Sequence, residues 1–190
     1  MVISKYYQKK GLWLLFSAAA FLIHIWAILQ IFQDLSWIAE RTNMWDAIGV
    51  GAYGLTIALI ESIFLFLIAF LLGFLVSTRW DPVKRISLMG TLVIIISIWA
   101  ILGQLYFILG WSFPASWIQI LANTEHPLRI LYLIALVFVG PSVLLPVVAQ
   151  LKSDKLSQMT YEIFDRLSTL VILYLVLDIA SIVIVIIRNI

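Results

Sequence analysis

Residues Ala47 to Val76 read AIGVGAYGLTIALIESIFLFLIAFLLGFLV, thirty residues in which Glu61 is the one formally charged side chain. A helix needs about 20 apolar residues to cross a hydrocarbon core of ~30 Å, so this stretch can span a bilayer with residues to spare. Glu61 falls fourteen residues after Ala47, close to the middle of the span. A carboxylate at that depth costs ~2.5–3.5 kcal/mol on an insertion scale, while each Leu, Ile, Phe or Val returns about 0.3–0.6 kcal/mol. The flanking run from Leu55 to Ile68 carries enough of these residues for the segment to insert regardless. An ionisable residue held in such a place is a functional-site candidate by default.

The rest of the chain has the same character. It has 190 residues, 64% of them hydrophobic, and a mean hydropathy of +1.11. A soluble domain is about 45–50% apolar. The expected fold is all-α: a polytopic membrane bundle of five helices over about 11–32, 47–76, 86–109, 128–149 and 167–187, forming a single integral membrane domain 1–190. Lys5, Lys9 and Lys10 precede an apolar run that continues to Ile31. Only about six apolar residues lie ahead of Ala18-Ala19-Ala20, too few for the h-region of a cleaved signal peptide, so this reads as an uncleaved first span.

Charge sets the topology. Lys5, Lys9, Lys10, Arg79, Lys84, Arg85, Lys152, Lys155 and Arg166 fall on one side of the five spans, and Arg41, Arg129 and Arg188 on the other. By the positive-inside rule this puts the N-terminus inside and the C-terminus outside. Asn43 is a candidate N-cap for the second span. The segment 110–127, containing Trp111, Pro114 and Trp117, is too short to cross and too apolar for a free loop, and reads as an interfacial helix. Segment 153–166 spaces Leu156, Met159 and Ile163 along one helical face, either at the inner surface or as an inward extension of the last span.

Depth bookkeeping defines the candidate site. His24 lies thirteen residues after Gly11, and Asp178 eleven after Leu167, so both share the level of Glu61. Pro141 and Ser142 reach it from the fourth span, where Pro141 and Pro146 each remove a helical donor and predict a broken helix. His24, Glu61, Asp178, Ser142 and Pro141 therefore form a candidate polar midplane layer, with Gln104 and Ser97 as a second tier. Small residues line the same faces: Ala47, Gly51, Gly54, Ala58, Ser62, Ala69 and Gly73 on span two, and Ser17, Ala20, His24 and Ala27 on span one. Such stripes allow close helix approach. Carboxylates and imidazole at this level can pass protons or hold an ion, and the plain alternative is a structural polar network.

Other chemistries find little support. The chain has no cysteine and two histidines, His24 and His126, which leaves no thiolate or multi-His metal site within one chain. Gly49 to Gly54 match G-x-G-x-x-G in letters only, because they open a membrane helix and not a βαβ unit. No cofactor is implied, and a net charge of +2 offers nothing for nucleic acid. Hydrolase and P-loop signatures are missing. The expected role is a small transporter or channel with a midplane proton or cation site. A non-catalytic subunit of a larger membrane complex is the second reading, and an intramembrane enzyme the third. The lipid bilayer and a homo-oligomer or larger complex are the expected partners, in a plasma or bacterial inner membrane.

Overall fold

The computed structural model describes residues 7–76, 79–110 and 112–190. Lys5 of the N-terminal basic group and Trp111 of the interfacial segment therefore lie outside the described residues. Six helices follow one another: α1 (Lys9–Arg41), α2 (Met44–Gly73), α3 (Pro82–Ile108), α4 (Ala115–Ala122), α5 (Pro127–Lys152) and α6 (Asp154–Asn189). All but the eight-residue α4 are long and apolar enough to cross a membrane, and no strand occurs among the described residues. The protein is thus an all-helical bundle with five candidate spans.

Local chemistry sets the boundaries. The Asn43 side chain accepts from the Asp46 amide at 2.9 Å, capping α2 as its position predicts. Ser153 does the same for α6, accepting from the Leu156 amide at 3.2 Å. Because that cap directly follows α5, segment 153–166 is the first part of α6, an extension of the last span and not a separate surface helix. Gly110, with φ of 63°, ends the run after α3 in a left-handed conformation that favours glycine.

Packing follows the small residues. The buried positions of α2 are Ala47, Gly49, Gly51, Ala52, Ala58, Ser62, Ala69 and Gly73, largely the stripe read from the sequence. This face meets α1 in the most extensive contact of the bundle, while α6 and α3 close around α1. Near the N-terminal end of α1, Leu14, Leu15, Ala18 and Ala19 pack with Ile86, Met89, Val93 and Phe164 in the main core. Gly90 lets the Phe164 ring lie directly on the α3 backbone, where a Cβ would collide with it. Gly49 does the same for the Arg188 guanidinium, which would be 2.5 Å from a Cβ.

Ion pairs tie the helix ends together. Lys10 meets Asp165 at 2.9 Å and Lys84 meets Asp154 at 2.8 Å, joining α1, α3 and α6 on one side of the bundle. Arg188 meets Asp46 at 2.8 Å on the opposite side. Tyr7 is buried beside α2, and its hydroxyl donates to the Phe70 carbonyl at 2.9 Å. Burial pushes its phenol up from 10.0, against a smaller downward pull from Arg85.

Helix α5 stands apart. It packs on α3 and more lightly on α6, and Gln150 is its one buried residue. The expected break is not there: α5 runs through Pro141 and Pro146 without interruption. A helix tolerates the lost donors where neighbouring groups take up the slack. The Ser142 hydroxyl between the two prolines donates to the Val139 carbonyl at 2.8 Å, a local bond separate from the carbonyls of Val137 and Ser142 that the prolines leave without a helical donor.

Candidate functional site

The packed small-residue faces bring two of the predicted layer residues into contact. His24 of α1 and Asp178 of α6 are both fully buried, and Nε2 of the imidazole lies 3.1 and 3.0 Å from the two carboxylate oxygens. Nδ1 lies 2.8 Å from the Ala20 carbonyl, one turn earlier on α1. Ser62 of α2 completes the group, its Oγ 3.4 Å from Nδ1 and donating to the Ala58 carbonyl at 2.7 Å. The Tyr174 ring stacks on the imidazole, with centroids 5.3 Å apart and planes 3° from parallel. Ser62 and Tyr174 were outside the candidate layer. The sequence did carry a signal for both: Ser62 sits in the small-residue stripe, and Tyr174 lies four residues before Asp178 on the same face of α6.

This geometry fixes a proton inventory. A carbonyl can only accept, so the close approach of Nδ1 to Ala20 requires a hydrogen on Nδ1. One further proton must then sit between Nε2 and Asp178. It resides on nitrogen as an imidazolium–carboxylate pair, or on oxygen as a neutral acid donating to Nε2. Without it, a nitrogen lone pair would face a carboxylate at 3.0 Å in a site with no water contact.

The other candidates lie elsewhere. Glu61 neighbours Ser62 in sequence, yet one residue turns a helix by about 100°. Its side chain is consequently exposed, lining a cleft between α1, α2 and α3 instead of joining His24. Gln104 and Ser97 line that cleft too, and the Trp26 indole donates to the Gln104 amide oxygen across it. Ser142 accepts from Trp99 Nε1 at 2.9 Å on the α3–α5 contact, and Pro141 is exposed on α5. The single layer of the sequence reading therefore divides into a sealed His24–Asp178–Ser62 group and an open cleft bearing Glu61, with Ser142 and Pro141 on α5 belonging to neither. Ala58 stands between the group and the cleft, giving its carbonyl to Ser62 while lining the cleft.

Among the described residues, no three His, Cys, Asp or Glu side chains gather as a metal site would require. Comparison of the chain with protein-family models, curated proteins and solved structures found no match.

Proposed function

We propose that this chain is a small membrane transporter or channel-like protein that takes up and releases a proton at His24–Asp178. The observation that carries the reading is the buried contact of 3.0 Å between an imidazole and a carboxylate that lie 154 residues apart in sequence. Ionisable groups at membrane depth are costly to keep, and proton relays are a recurrent reason for keeping them. Histidine and carboxylate side chains are the groups from which proton relays in membrane helices are commonly built. The pair is closed to solvent in this conformation, so turnover requires α1 and α6 to part enough to admit water from one side at a time.

The charge bias supports an orientation with the N-terminus inside, in a plasma or bacterial inner membrane. The test is proton flux in liposomes loaded with a pH-sensitive dye. Wild type should dissipate an imposed gradient, and Asp178→Asn and His24→Gln should not. A second reading, an accessory subunit of a larger complex, draws on α5, of which only Gln150 is buried. That reading predicts stoichiometric co-extraction with a partner in mild detergent.

A further inference from the structure

The cleft between α1, α2 and α3 has two adjoining chambers, of about 340 and 290 Å³, that share Ile23, Trp26, Glu61 and Gln104. Each is near the lower bound for small-molecule sites, roughly 300–1,000 Å³. The first chamber reaches Gln30 and Asp34 toward the C-terminal end of α1, and the second ends at Ser97 of α3. Among the described residues both carboxylates lack a counter-charge within the cleft, since no Lys, Arg or His of these lines either chamber. Glu61 itself makes no hydrogen bond or ion pair among the described residues.

A second, independent feature marks the second chamber. Ser97 is 4% exposed, and its Oγ has no hydrogen-bond partner among the described residues. Helical serines usually donate to the carbonyl four residues back, as Ser17 and Ser62 do here. A buried hydroxyl left open in a cavity wall is a group awaiting a ligand or a water.

We propose that this cleft binds a lipophilic monovalent organic cation, with Glu61 as its counter-ion and the Trp26 ring as an apolar and cation–π wall. The remaining lining is mostly aliphatic, from Ile23, Ile57 and Leu65. An occupant must therefore bring positive charge to Glu61 while presenting apolar surface elsewhere. Among the described residues no three His, Cys, Asp or Glu side chains are placed together to hold a metal ion. An aromatic face suits a large, weakly hydrated cation. The inference rests on the transport reading only for what the cation is bound for: it names the cargo, while His24–Asp178 would handle the proton.

The experiment is equilibrium binding of radiolabelled tetraphenylphosphonium to the full chain in phosphatidylcholine nanodiscs, with triphenylphosphine oxide as the uncharged competitor. Saturable binding is expected at one probe per chain. Glu61→Gln should weaken it by at least about tenfold, as expected when one partner of a desolvated charge pair is removed. Glu61→Asp, which keeps the charge, should bind and shows that the position tolerates substitution. Asp178→Asn should still bind the probe saturably at one per chain, so failure of the proton reading is distinguishable from failure of this one. The proposal is overturned if wild type shows no saturable binding, if Glu61→Gln binds as wild type does, or if the neutral competitor displaces the probe at equal concentration, the signature of a groove that takes lipid chains.

Discussion

Substitution of Asp178 by Asn and by Ala should have sharply different consequences. With a hydrogen required on Nδ1 by the Ala20 carbonyl at 2.8 Å, Nε2 offers a lone pair once the shared proton is gone. The amide introduced by Asp178→Asn has nearly the shape of the carboxylate and can donate N–H to that lone pair. The hydrogen bond survives and the exchangeable proton does not. Asp178→Asn should therefore change stability by only about 1 kcal/mol. Asp178→Ala leaves Nε2 without a partner in a site sealed from solvent. That costs about 1–3 kcal/mol if the wild-type pair is neutral, and about 3–5 kcal/mol if it is an ion pair. At ~2–4 °C per kcal/mol for a chain of this size, Asp178→Ala should lower Tm by about 2–12 °C in the first case and 6–20 °C in the second. Asp178→Asn should stay within about 4 °C of wild type. Thermal denaturation in detergent, followed by tryptophan fluorescence, supplies the stability half, and dye-loaded liposomes supply the flux half. Undiminished flux in Asp178→Asn would refute the proton role outright. An Asp178→Ala protein as stable as wild type would refute the buried contact itself.

Three further outcomes check the packing. Gly90→Ala drives a methyl into the buried Phe164 ring, which should cost about 1–3 kcal/mol as overpacking. Adding Phe164→Leu should recover part of that loss in the same melting assay. Asn43→Ala removes the α2 cap bond to the Asp46 amide and should destabilise by about 1 kcal/mol, visible as faster hydrogen exchange over the first turn of α2. Tyr7 has a folded-state phenol pushed above 10.0 by burial, so above that pH the unfolded chain loses its proton first. The contribution of Tyr7 to stability should be constant through neutral pH and fall as pH rises past 10.0. Tyr7→Phe should flatten part of that alkaline slope relative to wild type.

The length and apolarity of each run, with Lys and Arg between them, determine by themselves five helices able to cross a membrane. A span must satisfy its own backbone hydrogen bonds, and only a helix does so within one segment. The cap at Asn43 and the small-residue face of α2 were legible for the same reason: both are local consequences of residue type and helical period. Depth was legible too, since a rise of 1.5 Å per residue converts sequence distance into level, and it put His24 and Asp178 together. Rotation was not. Glu61 and Ser62 share a depth but differ by about 100° around α2, and only the docking of α1 and α6 against the small stripe decided that Ser62 faces the imidazole while Glu61 faces the cleft. Likewise, the sequence of α5 gives an expectation that Pro141 and Ser142 join the layer of His24, yet its docking on α3 pairs Ser142 with Trp99 instead. Level along a helix is a property of the chain alone, whereas direction around it is set by what the neighbouring helices bury.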